Sequence, residues 1–369
     1  MEIVFNRDEL ISALNFVIPL IPPKSSFTIL QNILLRSETG KIVISGTDLD
    51  VFVEKLITAE ITQGTEGEKA VLPGKKLLAI AKEIEVDRVN LRIAEQIATI
   101  MGIRSNFTFP TIDPSEYPEI PPLPDDIKFD VGWDEFWPLI RNVSFVSSRD
   151  YTKGAMSGVL LSSKGDSLRV VATDGVKLGY IEKKVGIEHE FELILPPKAF
   201  ELLSGYTGKI TFGLQCGENP KLFGLKGEDI QITGRLIQGP FPSFEGVIPK
   251  DFVGELKIDK KNFESTLRRV ALFANTTTRA VYLDVAPGLI NMNVSTPNVG
   301  AAREEIEAGY EGDEMKVGFN AVYMLEILKH IGGDSVNIRF TSAASAMKIE
   351  PGEKGDIELF YLLMPVRMG

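Results

Sequence analysis

Residues 258–270 read IDKKNFESTLRRV, and the spacing of the apolar side chains in this stretch occurs three times in the chain. Ile258, Phe263, Leu267 and Val270 are separated by five, four and three positions. The two earlier copies are Phe5, Leu10, Leu14 and Val17, and then Val131, Phe136, Ile140 and Val143. The last three positions of each copy share one face of an α-helix, a pattern that any single amphipathic helix also shows. The near-constant interval, 126 residues from Phe5 to Val131 and 127 from Val131 to Ile258, predicts three structural repeats.

The composition is that of an ordinary acidic protein. The 369 residues carry a net charge of −11, and 44% of them are hydrophobic, so we expect two or three domains that each bury a core. The acidic balance excludes a surface that binds nucleic acid everywhere, but it leaves room for a local basic surface. Cys216 is the only cysteine, which excludes internal disulfides and cysteine metal clusters. The N-terminal sequence MEIVFNRDEL lacks the apolar core of a signal peptide, and we expect a cytoplasmic protein.

Each repeat predicts the same order of elements. A first helix follows Asn6, Gly132 or Asp259, and Pro138 in the second repeat predicts a kink or a later start. A group of strands comes next; in the first repeat the first of these strands covers Thr28–Arg36. A second helix then begins near Pro73, Pro197 or Phe319 in the three repeats. With proline-rich linkers at 110–124 and 239–249, the pattern predicts an α+β fold in which each repeat packs two helices on antiparallel sheets. The predicted domains are 1–122, 123–249 and 250–369.

Residues that carry chemistry are scarce. His189 and His330 have no helix-spaced partner, so we interpret both as surface residues and predict no metal or cofactor. No Walker motif and no GxSxG elbow is present. Asp48, Asp174 and Asn298 fall at turns, and turn chemistry explains them better than metal binding.

Lysine and arginine recur on the predicted helices and the loops beside them, where acidic residues also occur. Solvated helix faces would explain most of them. If the three sheets join edge to edge, however, all the helices can lie on one concave side and meet phosphates without reading bases. These helices lack interleaved aromatic residues for stacking on single strands, which favours duplex DNA or no nucleic acid at all.

Several short motifs together carry a resemblance to a known family. They are Ala172-Thr173-Asp174-Gly175 with Lys177-Leu178, Gly239 with Phe241-Pro242, Val247-Ile248-Pro249-Lys250, Gly318-Phe319-Asn320 with Tyr323, and the ending Tyr361–Met368. In this order and spacing, over the whole length, the chain resembles the bacterial sliding clamps, the β subunits of DNA polymerase III. The resemblance implies a ring-forming homodimer of three clamp domains per subunit that encircles double-stranded DNA, independently of its sequence, and performs no chemistry on it.

The resemblance also implies a pocket that binds short peptide segments of partner proteins. Its partners would be the polymerase III α subunit, the clamp-loader δ subunit and other proteins whose binding motif combines a Gln with apolar residues. The matching positions are Lys153, Met156, Thr173, Gly175, Lys177, Leu178, Pro242, Val247, Asn320, Tyr323, Met364, Pro365, Val366 and Arg367. Asn320 and backbone groups would fix the Gln amide. Lys153 and Lys177 stand where the family usually has Arg, and lysine keeps the charge but loses the bidentate fork.

Two further sets of residues are implied. The expected DNA contacts are Lys24, Lys75, Lys82, Arg149, Lys153 and Lys198. The expected dimer interface comprises Arg104, Phe107, Phe109, Leu272, Phe273, Glu304 and Glu305. Exposed Phe107 and Phe109 on an edge strand would promote aggregation of a monomer, so a partner there is expected.

Two alternatives remain open from the sequence. One is a three-domain protein-interaction scaffold that does not encircle DNA. The other is an enzyme, such as a hydrolase, that uses Asp174 and a neighbouring lysine. Light scattering separates the ring from both alternatives, because only the ring requires a stable dimer.

Overall fold

The structure is a computed structural model that describes residues 1–215, 220–353 and 355–366. The chain forms two compact units, the first from Met1–Trp137 with Lys198–Leu236 and the second from Pro138–Pro197 with Ile237–Gly369. The middle third of the chain is therefore shared between the units. The predicted limits at 122 and 249 follow the sequence repeat rather than these units and stay a prediction. Cys216, Arg367, Met368 and Gly369 lie outside the described residues.

Among the described residues each repeat contains two helices, as the sequence predicted. They are α1 (Arg7–Val17), α2 (Gly74–Glu83), α3 (Trp133–Ser144), α4 (Pro197–Glu201), α5 (Lys260–Val270) and α6 (Ala321–His330). The Asn6 side chain accepts hydrogen bonds from the amides of Asp8 and Glu9 at the start of α1. Asp259 accepts one from the amide of Asn262 at the start of α5. Helix α3 begins at Trp133 and continues through Pro138, so the later start is wrong.

The strands of the three repeats follow in chain order. The first repeat contains β1 (Glu2–Asn6), β2 (Ile33–Glu38), β3 (Lys41–Thr47), β4 (Val51–Gln63), β5 (Lys69–Leu72), β6 (Arg88–Ala94), β7 (Ile97–Met101) and β8 (Asn106–Pro110). The second contains β9 (Ile127–Gly132), β10 (Val159–Lys164), β11 (Ser167–Thr173), β12 (Lys177–Lys184), β13 (Phe191–Leu195), β14 (Lys209–Leu214), β15 (Leu222–Lys226) and β16 (Ile230–Arg235). The third contains β17 (Gly254–Asp259), β18 (Ala280–Ala286), β19 (Leu289–Thr296), β20 (Gly300–Ile306), β21 (Gly309–Gly312), β22 (Met315–Asn320), β23 (Ser335–Phe340), β24 (Met347–Pro351) and β25 (Glu358–Leu363). The strand predicted over Thr28–Arg36 is wrong in its first half, because Thr28–Gln31 forms a 3-10 turn.

Antiparallel sheets join successive repeats edge to edge. In the first unit the strand order is β8-β7-β6-β1-β4-β16-β15-β14-β9, with β2, β3 and β5 attached to β4 through β3. The β4–β16 pair, which sets Lys55 opposite Ile230, joins the first repeat to the second. In the second unit the order is β13-β10-β11-β12-β25-β24-β23-β17-β21, beside a separate sheet β20-β19-β18-β22. The β12–β25 pair, which sets Lys177 opposite Leu363, joins the second repeat to the third. The α+β fold with antiparallel sheets is thus confirmed.

The apolar positions of the triple repeat form the core. All of them are buried except Val131, which is half-buried because it lies on the end strand β9. Burial of the repeat therefore explains why the same spacing recurs: each copy sets the side chains that hold a first helix on its sheet.

The linker after the first repeat is packed against the fold. Leu123 and Pro124 cross over Gly213 of β14 and Gly224 of β15. A Cβ atom at Gly213 would lie 2.2 Å from the Pro124 carbonyl oxygen, and one at Gly224 would lie 2.4 Å from Leu123 Cδ1. Both strands therefore need glycine here, because any side chain would occupy the space of the linker.

Candidate functional site

A tight turn joins β11 to β12 and shapes one side of the predicted pocket. The Thr173 hydroxyl donates to the Lys177 carbonyl at 2.8 Å and accepts from the Gly175 amide at 3.1 Å. Asp174 Oδ1 accepts from the amides of Val176 and Lys177, both at 2.9 Å. Gly175 has a φ of +90°, which favours glycine.

The turn between β3 and β4 repeats this arrangement. The Thr47 hydroxyl donates to the Val51 carbonyl at 2.8 Å, and Asp48 Oδ1 accepts from the amides of Asp50 and Val51 at 3.1 and 2.9 Å. The interpretation of Asp48 and Asp174 as turn residues is therefore confirmed. Each aspartate uses one carboxylate oxygen to close its turn and keeps the other for a lysine.

A cavity of about 180 Å³ opens beside the Thr173 turn in the second unit. Eight of the predicted pocket residues line it: Met156, Thr173, Gly175, Lys177, Leu178, Pro242, Val247 and Met364. Five further residues complete the lining: Val176, Ser243, Phe244, Ala346 and Leu362. Val247 is 57% exposed and Met364 45% exposed, so apolar side chains are open to solvent at this cavity. An apolar cavity of this kind suits the side chains of a short apolar peptide segment.

Sequence reasoning missed the five further residues for two reasons. Val176 and Ser243 directly adjoin predicted residues along the chain, and Phe244 lies two positions from Pro242, so closeness in sequence was the available signal. Ala346 and Leu362 reach the cavity through the pairing of β24 with β25, in which Met347 lies opposite Leu363. Such pairing between distant segments leaves no local signal in a single sequence.

Other predicted pocket residues do not line this cavity. Lys153, Asn320, Tyr323, Pro365 and Val366 are absent from its walls, and Arg367 lies outside the described residues. The Asn320 side chain caps α6: its oxygen accepts from the amides of Val322 and Tyr323, and its nitrogen donates to the Thr278 carbonyl at 3.0 Å. The amide of Asn320 is thus occupied by its own chain.

Lys177 is a buried cation with internal partners. Its side chain is only 6% exposed, and Nζ lies 3.2 Å from Asp174 Oδ2 and 3.9 Å from Glu326 Oε2. The ammonium also lies 5.0 Å from the centre of the Tyr323 ring. Exposed Lys153 donates to the Asp174 carbonyl at 3.0 Å. Both carboxylate oxygens of Asp174 are engaged, which argues against the enzyme alternative, since that alternative needs this group as a free base.

The cations predicted to contact DNA fall into two groups. Lys24, Lys75, Lys82 and Arg149 are exposed and form no ion pair with a carboxylate in the part of the chain that is described. Lys198 is different, because its Nζ lies 2.6 Å from Asp48 Oδ2 and 3.4 Å from Asp50 Oδ2. The residues that adjoin these lysines along the chain do not reveal this difference.

The predicted apolar interface residues lie at or near two end strands. On β8, Phe107 is 39% exposed but Phe109 is only 5% exposed, so the expectation that both are exposed is wrong for Phe109. Near β20, Leu272 is 78% exposed and Phe273 is 37% exposed, both in a 3-10 turn that follows α5.

The predicted charged interface residues differ in their surroundings. Arg104 is exposed. Glu304 accepts hydrogen bonds from the guanidinium of Arg269, which lower the pKa of its carboxyl below the usual value. Glu305 is more exposed and lies 3.8 Å from Arg303. Of the two glutamates, Glu305 is therefore the one with more freedom to meet a partner.

His330 is not the surface residue that the sequence suggested. Its ring stacks on Phe145 with centroids 3.9 Å apart, and Nδ1 is buried without a hydrogen-bond partner among the described residues. Burial, with the charges of Arg141 and Lys329, lowers its pKa to about 4. His189 is exposed, as expected. Within the described ranges no three potential ligands cluster as a metal site would require, and no helix is long and apolar enough to span a membrane.

Three family models match consecutive parts of the chain and together cover nearly all of it. They describe the N-terminal, central and C-terminal domains of the DNA polymerase III beta subunit, and they match residues 1–121, 130–243 and 245–367. The chain belongs to this family, the sliding clamps. A sliding clamp serves DNA replication as a non-catalytic subunit of the polymerase, so neither the enzyme nor the scaffold alternative is favoured.

Individual relatives agree over the full length. The beta sliding clamp of Pseudomonas aeruginosa is 26% identical over 375 residues, and that of Haemophilus influenzae is 27% identical over 374 residues, with full coverage of both chains in each case. A crystal structure of the Pseudomonas aeruginosa clamp bound to griselimycin has a TM-score of 0.90 at 25% identity and full coverage of both chains. The clamp of Thermotoga maritima, at 23% identity and a TM-score of 0.91 with the same coverage, shares the fold.

Proposed function

We propose that two copies of this chain close into a ring around duplex DNA and that the ring tethers the replicative polymerase to its template. The support from the structure is the pair of end strands β8 and β20, which lack a second neighbour within the described residues. Each has exposed apolar side chains nearby, Phe107 in β8 and Leu272 with Phe273 beside β20. An unpaired apolar edge favours association with another strand. In the proposed ring, β8 of each copy pairs with β20 of the other, so the two copies meet at two seams.

The charged residues at these edges support the same arrangement. Arg104 of one copy and Glu305 of the other carry opposite charge, whereas Glu304 is already held by Arg269 of its own chain. Exposed ion pairs contribute only about 0–1 kcal/mol each, so we expect the apolar side chains to supply most of the dimer's stability.

The exposed cations support contact with DNA. Lys24, Lys75, Lys82 and Arg149 have no carboxylate partner in the described part of the chain, so their charges are available to phosphates. Phosphate contacts of this kind do not read base sequence, and they weaken as salt rises. A ring that encloses DNA needs only such weak contacts, because enclosure keeps it on the DNA.

The cavity beside the Thr173 turn is the proposed docking site for partner proteins. Its open apolar wall, with Val247 and Met364, suits the apolar residues of a short segment that also contains a Gln. We propose the polymerase III α subunit and the clamp-loader δ subunit as the proteins that supply this segment. Backbone carbonyl oxygens of the turn, each of which can accept two hydrogen bonds, are the proposed partners of the Gln, rather than the occupied Asn320 amide. The role also requires the compartment that contains replicating DNA, in line with the cytoplasmic location expected from the sequence.

Solution mass with a matched pair of variants tests the ring. Light scattering of the wild-type protein should give twice the protomer mass of 40.7 kDa. Leu272→Asp, which places a charge on a 78% exposed side chain at the proposed seam, should give the protomer mass while the chain still unfolds cooperatively. Val253→Asp, at an apolar side chain that is 48% exposed outside the seam, should remain dimeric. A wild-type monomer, or equal masses for the two variants, would contradict the proposed dimer.

A further inference from the structure

A large groove in the first unit contains two lysines whose charges are already compensated. Its volume is about 560 Å³, and it runs along α1 and α4. Lys198 of α4 pairs with Asp48 at 2.6 Å and with Asp50 at 3.4 Å, while Lys55 of β4 pairs with Asp229. Neither ammonium is mostly solvent-exposed, since the side chains of Lys55 and Lys198 are 17% and 25% exposed.

The surroundings of the two lysines carry more negative than positive charge. Two ammonium groups face the three carboxylates that pair with them, and Glu201, exposed on α4, adds a fourth. A DNA phosphate that approaches Lys198 therefore meets an excess of negative charge. The exposed cations Lys24, Lys75 and Lys82 present no such obstacle among the described residues.

The pairing of Lys198 is built into the turn of the first repeat. Asp48 Oδ1 is fixed by two backbone amides, so its other oxygen is held ready for the lysine before any ligand arrives. An exchange of this carboxylate for a phosphate replaces one charge-assisted hydrogen bond by another. The net gain from DNA contact at Lys198 is then small.

We propose that Asp48 and Asp50 compete with DNA phosphate for the ammonium of Lys198 and thereby keep this contact weak. The inference rests on the proposed function, in which the ring encloses duplex DNA. A clamp that slides along DNA needs phosphate contacts that form and break easily. A carboxylate that pairs with the lysine again each time a phosphate leaves makes the lysine–phosphate contact easy to break. The protein's own carboxylates thus limit how strongly Lys198 binds phosphate.

Equilibrium binding to a short linear duplex over a series of salt concentrations tests the proposal. The double variant Asp48→Asn/Asp50→Asn keeps a side-chain oxygen for the turn amides at the first position, but it removes both negative charges and frees Lys198. One additional phosphate contact should steepen the slope of log K against log salt by about 0.9, with tighter binding at low salt. Lys198→Ala in the same background should return the slope to the wild-type value.

Glu201→Gln is the matched control, because it removes a negative charge from the same helix and groove without touching the Lys198 pair. An equal effect of this control, or no reversal by Lys198→Ala, would overturn the competition. Asp50→Asn alone, which leaves the Asp48 turn intact, should shift the slope in the same direction but less, and no shift in a folded variant would count against the proposal. If the wild-type protein shows no salt-dependent DNA binding at all, the proposed function fails instead.

Discussion

Truncating Val247 and Met364 to alanine should weaken partner binding while sparing the fold. Val247 is 57% exposed and Met364 45% exposed in the free protein, so a peptide in the cavity has about half of each side chain left to bury. Complete burial of such a side chain is worth about 1.5–3 kcal/mol, so each truncation should cost roughly 0.8–1.5 kcal/mol of binding, a loss of about 4- to 12-fold in affinity. Because both line one cavity, their effects need not add, and the double variant should lose about 10- to 100-fold.

Fluorescence anisotropy with a labelled peptide that contains the Gln and apolar motif measures this loss. Val253→Ala is the control, because it truncates a valine with a similar exposed fraction, 48%, that does not line the cavity. The melting temperatures of the variants should all stay close to that of the wild-type protein. If the double variant binds the peptide as tightly as Val253→Ala does, the assignment of this cavity as the partner site is wrong.

Two further predictions concern the fold. Gly213→Ala should destabilise the first unit by about 1–3 kcal/mol and expose the linker to protease, because the new Cβ would lie 2.2 Å from the Pro124 carbonyl oxygen. Gly186→Ala is the control: its Cβ would meet nothing within 4 Å, so it should change neither the stability nor the protease sensitivity. The low pKa of His330, about 4 against the usual 6.5, means that the unfolded chain binds more protons between these values, so this residue should reduce stability as pH falls from about 6.5 to 4. Urea unfolding at pH 7 and pH 5 should show a smaller acid loss for His330→Gln than for His189→Gln, and equal losses would contradict the buried environment of His330.

Much of the fold could be predicted because the core repeats. Phe263, Leu267 and Val270 are buried on α5 as their spacing predicted, and the equivalent residues of α1 and α3 are buried as well. Capping residues such as Asn6 and Asp259 also act locally, so the starts of α1 and α5 followed from the sequence. Periodicity and capping depend on residues close together in the chain, so a single sequence is enough to predict them.

The features that the sequence did not predict have a different physical origin. Packing within their own units buries Phe109 and half-buries His330, and the hydrophobic or polar character of one position does not reveal this. The pairing of Lys198 with Asp48 joins residues 150 positions apart, so the sequence did not separate this lysine from exposed Lys75. Ala346 entered the pocket only through a strand pairing. Contacts between distant segments decide such details, and they require the structure.

Retention on circular and linearised DNA tests the encircling ring most directly. Protein loaded by its clamp loader onto a nicked circular duplex should stay bound through a high-salt wash and should be lost when a restriction enzyme cuts the circle. The salt resistance follows because enclosure, unlike contact with phosphates, is not screened by salt. Equal retention on the circle and on the cut duplex, or loss from both in high salt, would contradict the account.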